Sequence, residues 1–172
     1  MPDRANGVPD QPLVCGLPRK LRYRMNPSEF IQLYRARLDN LRSNRGEDVL
    51  TIAADLTAVV QLRIQSSGED FQGSQYPGYT PNYAKYGRRA LGYQAEYVDF
   101  TRTGRMWANI QPYLLNETES SVEVEITARD QDSQDKLRGQ VDKRGNILRP
   151  SDDELQEVAE ANRERIRKRL GI

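Results

Sequence analysis

Hydrophobic residues recur with a helical period early in the chain. Phe30, Tyr34, Leu38 and Leu41 fall on one face of a helix expected from Pro27 to about Arg42. Asn26 suits its N-cap, Pro27 its first turn, and Glu29 the positive end of its dipole. Ser43-Asn44-Arg45-Gly46 breaks the pattern. A stronger stripe follows from about Glu47 to Gln65, carried by Val49, Ile52, Ala53, Leu56, Val59, Val60 and Ile64. Two amphipathic helices around a short glycine loop predict an antiparallel helical hairpin.

The middle of the chain reads differently. From 66 to 100, glycines and prolines interrupt every periodic run, and six of the nine tyrosines (Tyr76, Tyr79, Tyr83, Tyr86, Tyr93, Tyr97) gather there. The pattern predicts a long surface loop with one short helix from Asn82 to Ala90. Loops of that length are uncommon unless they carry a function. Tyrosine covers broad apolar area while keeping a polar tip, which suits an interface. Base stacking, with Lys85, Arg88 and Arg89 as the cations, is the other reading, although such platforms usually sit on a sheet face.

Beyond the compact segment Asp99–Trp107, a strand is expected from Asn109 to Leu115, moved toward a sheet edge by Pro112. Val122, Val124, Ile126 and Ala128 alternate with polar residues and give its hairpin partner, half buried. A polar helix over 131–145 ends at Gly145, anchored by Leu137 and Val141. Ser151 and Glu154 form a capping box for the last helix. Acidic residues fill its first half and basic residues its end, as the macrodipole favours. Its thin stripe of Leu155, Val158, Asn162, Ile166 and Leu170 predicts a helix that is largely exposed or docks on a partner.

The fold class is therefore α+β: an N-terminal helix pair and a C-terminal helix packed on a small antiparallel sheet, with a long Tyr/Pro/Gly-rich loop. Residues 27–172 form one domain. Residues 1–26, broken by Pro2, Pro9, Pro12 and Pro18, form an extended arm. The arm is either a flexible tail or a strap on a neighbouring subunit, with Arg19, Lys20, Arg22 and Arg24 alternating with Leu21, Tyr23 and Met25.

Composition narrows the chemistry. Of 172 residues, 37% are hydrophobic and 30% charged, so the core is small. With 26 basic and 25 acidic residues the net charge is +1, which gives no bulk drive toward nucleic acid. Histidine is absent, which removes histidine-based nucleophile pairs, acid–base work and metal ligation. Cys15, the single cysteine, cannot form an intrachain disulfide and reads as an inert thiol. The carboxylate pairs Asp152/Asp153 and Glu123/Glu125 belong to a helix cap and a strand's wet face. Asp130, Asp132 and Asp135 lack the glycine and terminal glutamate of a calcium loop. No run approaches the ~18–20 apolar residues that span a bilayer, and the opening segment lacks the apolar core of a secretory signal. The expectation is a non-enzyme with no metal and no cofactor, working without a membrane.

Arg102-Thr103-Gly104-Arg105-Met106 is a compact turn leading into the hairpin. Tyr79-Thr80-Pro81-Asn82-Tyr83-Ala84-Lys85 precedes it, and Arg144-Gly145-Asn146-Ile147-Leu148-Arg149-Pro150-Ser151 leads into the capped helix. Together these resemble the neck and tail-completion proteins of tailed bacteriophages, related to the Mu-type virion morphogenesis family. The chain departs from that pattern in having no His-Gln near 130–140 and in carrying Pro150-Ser151 where Pro-Phe is usual.

The resemblance implies a structural protein that forms a homo-oligomeric ring, commonly sixfold. The ring would join the capsid portal complex to the tail in the virion neck, assemble in the host bacterial cytoplasm, and let genome DNA pass. Portal or adaptor proteins and tail-tube or tail-terminator proteins would be its partners. Tail terminator, or another protein at the tube end, is the nearest alternative role. A small nucleic-acid-binding accessory protein is the alternative from another class. A closing ring needs two different patches per subunit. The candidates are Tyr76, Tyr79, Tyr83, Tyr86, Arg102 and Arg105 on the loop side, with Leu155, Val158 and Ile166 on the last helix. Lys143, Arg144 and Arg149 are candidate cations facing the lumen. Gly104 is expected to take a positive φ, and Trp107 to be core.

Overall fold

The computed structural model describes residues 26–172; the N-terminal arm, its basic alternation and Cys15 lie outside the described residues, apart from Asn26. The fold is α+β. Helix α1 spans Pro27–Ser43 and α2 spans Arg45–Ser67. A π-helical turn (Tyr83–Arg88) and a 3-10 turn (Arg89–Leu91) interrupt the loop that follows. A short α3 (Arg105–Asn109) leads into β1 (Ile110–Glu117), β2 (Val122–Ala128), α4 (Gln131–Arg144) and α5 (Asp152–Leu170).

The strands pair antiparallel, with Ile110 opposite Ala128 and Pro112 opposite Ile126, and a register irregularity between Leu114 and Asn116. A two-stranded sheet has only edges, which is where Pro112 is tolerated. Helix α2 packs on both strands and, on another side, along α5, while α4 closes over β2. The core joins Val60 and Ile64 of α2 with Tyr76, Val98, Trp107, Ile110, Ala128, Leu137 and Ile147.

Helix α5 runs antiparallel to α2, and ion pairs mark the pairing along its length. Arg169 donates to Asp48 at 2.6 and 2.7 Å, Asn162 to Asp55 at 3.0 Å, and Arg63 lies 3.4 Å from Glu154. The Asp48 contact holds the Arg169 pKa above its ordinary value. At the start of α5 the capping box forms as expected: the Ser151 hydroxyl accepts from the Glu154 N–H, and Glu154 accepts from the Ser151 N–H.

The helix pair is not a hairpin. Only Asn44 separates α1 from α2, and hydrogen bonds bridge the junction: the Asn44 N–H donates to the Asn40 carbonyl, and the Asp48 N–H to the Asn44 carbonyl. Gly46, expected in a loop, is a buried residue of α2, and Glu117 lies where its Cβ would be. Helix α1 therefore stands away from the body. Every residue from Ser28 to Ala36 is exposed, on all sides of the helix. Its stripe begins to bury only at Leu38 and Leu41, near the base.

The tyrosine loop also differs from expectation. Tyr76, Ala95, Val98 and Asp99 are buried, so the segment supplies core as well as surface. In α4, Ser133 and Leu137 are buried while Val141, expected as the second anchor, is exposed.

Candidate functional site

Two surfaces gather the candidate residues. The first rests on a buried polar knot. In the π turn Arg88 points inward and is 2% exposed. It makes a two-oxygen ion pair with Asp99 at 2.9 and 3.0 Å, donates to the Thr101 carbonyl at 2.7 Å, and also donates to the Gln94 carbonyl. The Tyr79 hydroxyl donates to Asp99 at 2.8 Å, and the Tyr79 ring lies 4.5 Å from the guanidinium carbon. Burial, reinforced by the Asp99 carboxylate, pushes the Tyr79 phenol up to about 12. The Trp107 indole donates to the Asp99 carbonyl at 3.1 Å. Asp99 thus collects the loop, the π turn and α3 at one carboxylate and one carbonyl. Phe100, beside it, is held at φ +52°, a conformation non-glycine residues seldom adopt unless their surroundings fix it. Its ring packs edge-on against Tyr76 at 5.1 Å and lies beneath Arg144.

A cleft opens above this knot, between the loop and α4. One part holds about 270 Å³ and is lined by Tyr79, Tyr83, Arg102, Lys143 and Arg144. The adjoining part holds about 580 Å³ and adds Tyr93, Arg105 and Lys136. Among the described residues no carboxylate lines either part. Tyr83 is held where Gly87 lets it lie: a Cβ on Gly87 would stand 2.5 Å from the ring. The Thr-Gly turn beside the cleft does what glycine was expected to do, with Gly104 at φ +73° capping α3, and Trp107 is core.

The second surface is apolar. Between α2 and α5 runs a groove of about 430 Å³, lined by Ile52, Leu56, Leu155, Ile166 and Leu170, with Arg163 and Arg167 at its rim. Leu155 is 44% exposed there. Asn162 forms part of its floor and is 2% exposed. The Asn162 amide nitrogen donates to two acceptors, Asp55 and the Val158 carbonyl, so the amide cannot be turned the other way. Its Oδ1 has no donor among the described residues.

The candidates accordingly divide. Tyr79, Tyr83, Arg102, Arg105, Lys143 and Arg144, expected as two separate sets, meet in one cationic cleft. Tyr76 is corrected from interface to core, buried against Phe100; Val158 is also buried, but it lines the α2/α5 groove. Burial also holds the Tyr76 phenol above its ordinary pKa. Tyr86 is exposed, away from the cleft lining, with Lys85 4.9 Å from its ring. Arg149 leaves the other two cations and stacks on Phe71 at 4.0 Å. Leu155 and Ile166 line the apolar groove.

Sequence reasoning missed the Arg88–Asp99 pair and the free face of α1. The first had a signal, a carboxylate between Val98 and Phe100, where an unpaired charge would be costly. Among the described residues no group of three metal-ligating side chains comes together, and no helix is long and apolar enough to cross a membrane. No family model, no curated protein and no solved structure matches this chain.

Proposed function

We propose that this chain is a structural protein of the virion of a tailed bacteriophage, forming a homo-oligomeric ring in the neck between the portal complex and the tail. The observation that carries the proposal is the coexistence of two unlike apolar surfaces on one small subunit. One is the free-standing first half of α1, the other the groove between α2 and α5. A self-complementary patch makes a closed pair, whereas two unlike patches make a head-to-tail contact that closes into a ring when the rotation allows. The turn Arg102–Met106 and its flanking segments add the family resemblance. The ring joins portal or adaptor proteins on one side to tail-tube or terminator proteins on the other, and its chemistry is contact without catalysis.

The cationic, tyrosine-lined cleft favours a second reading, a nucleic-acid-binding accessory protein. Electron microscopy and native mass spectrometry of the purified protein separate the two. The ring reading expects closed annular particles of one stoichiometry, six subunits by the family resemblance. A monomer at every concentration, with and without portal and tail proteins, combined with DNA affinity that falls steeply with salt, overturns it in favour of the second.

A further inference from the structure

We infer that the contact closing the ring is the first half of α1 from one subunit seated in the α2/α5 groove of the next. This inference rests on the ring reading and names the surfaces that make it. Phe30, Ile31, Leu33 and Tyr34 occupy the i, i+1, i+3 and i+4 positions of a helix whose residues 28–36 are all exposed among the described residues. Phe30 is 60% and Tyr34 57% exposed, their rings stacked 6.5 Å apart. A single short helix is marginal in water without a surface to pack on. The spacing is that of a helix laid in an apolar groove.

The groove fits this occupant in two respects. Its walls are aliphatic, and its rim carries Arg163 and Arg167 with no carboxylate among its lining residues. Guanidinium groups pair favourably with the faces of Phe30 and Tyr34.

The occupant comes from a neighbour rather than from the same subunit. Arg37 at the base of the free half donates to the Gly171 carbonyl at 3.2 Å, and backbone hydrogen bonds continue through Asn44. Together they fix the base of α1, and residues 28–36, all exposed, are not seated in their own subunit's groove. Phe30 and Tyr34 leave on the order of 200 Å² of ring surface uncovered. The two surfaces are unlike, so a single head-to-tail contact leaves one of each uncovered, whereas a closed ring lets every subunit make the contact twice.

The test places a photoreactive benzophenone amino acid at Tyr34. Light and isotopically heavy full-length chains are mixed as monomers in equal amounts, concentrated and irradiated, and the adducts are mapped by mass spectrometry. The expected adducts fall on the groove, at Ile52 or Leu56 of α2 or between residues 155 and 172. About half of them join a light to a heavy chain, the statistical share for neighbours around a mixed ring. Adducts confined to single chains, or to residues outside the groove, from particles that electron microscopy shows to be rings overturn the inference and leave the ring reading standing. A chain that never assembles overturns both. As a second variant, Leu155→Glu, at an exposed groove position, is expected to abolish the mixed adducts while the monomer keeps its unfolding midpoint; retention of the adducts overturns the assignment.

Discussion

Removing the Asp99 carboxylate tests whether the buried knot holds the tyrosine loop. Asp99→Ala leaves the Arg88 guanidinium 2% exposed with no counter-charge, and strips acceptors from the Tyr79 hydroxyl and the Thr101 N–H. Breaking a buried pair from one side costs about 3–5 kcal/mol, most of it from the stranded charge. A domain this size shifts its midpoint by about 2–4 °C per kcal/mol, so the melting temperature should fall by about 6–20 °C. Trp107 is the only tryptophan and donates to the Asp99 carbonyl, so its fluorescence reports the region directly.

The measurement is urea and thermal unfolding at one fixed concentration, followed by tryptophan emission. Two comparisons isolate the cause. Arg88→Met combined with Asp99→Leu removes both charges and should recover much of the loss, because nothing is left unpaired. Lys136→Ala removes an exposed helical pair with Asp132 and should cost at most about 0.5 kcal/mol. If Asp99→Ala costs under about 1 kcal/mol, or the double variant is worse than the sum of its parts, the loop is held by something other than this pair.

Three other outcomes are expected. The Tyr79 phenol titrates near 12 in the folded chain against 10.0 ordinarily, so its stabilisation is complete below pH 10 and is lost between about pH 10 and 12; urea titrations should show Tyr79→Phe falling less steeply over that window. Gly87→Ala pushes the Tyr83 ring outward, and because that ring is 37% exposed and can swing into solvent, the cost should stay near 1 kcal/mol, with displaced Tyr83 resonances by NMR. Phe30→Glu alters a residue that is 60% exposed among the described residues, so the unfolding midpoint should stay within about 0.5 kcal/mol of the parent while particle formation in native mass spectrometry is lost.

What the sequence made legible was local. The Ser151–Glu154 capping box, the alternation from Val122 to Ala128 and the glycine of the Thr-Gly turn each depend on neighbours within a few residues, and each formed as read. The helix pair failed for the same reason in reverse. Gly46 carries the local chemistry of a break, but the approach of Glu117, 71 residues away in the chain, explains why glycine stands there inside α2. Helical hydrogen bonding then runs on through Asn44 and the expected hairpin never turns. The loop was opaque because its order comes from Asp99, which draws Arg88, Tyr79 and Trp107 from three segments. Periodicity registers none of those contacts. The candidate site was legible as a set of residue types; which of them share a cleft depended on α4 folding back over the loop.

Stability and the proposed assembly draw on different residues, yet the two meet at one end of α5. Charged pairs fasten α5 to α2, and the last of them, Arg169 with Asp48, lies beside the junction from which α1 departs. Two residues beyond, the Gly171 carbonyl accepts from Arg37 at the base of the free half-helix. Leu170 and Ile172, on either side of that carbonyl, line the groove. In the proposed ring, a neighbour's helix entering the groove therefore packs against the residues that orient the host subunit's own α1. Ordering that end lowers the conformational cost of the next contact, which is positive cooperativity without a change of fold. Each subunit that joins then presents a better-fixed helix than a free one does, and growth favours the closed ring over partial arcs. Arg37→Ala separates this coupling from simple adhesion: both apolar surfaces survive intact, so adhesion alone predicts unchanged assembly, whereas coupling predicts that arcs accumulate at the expense of rings in electron micrographs.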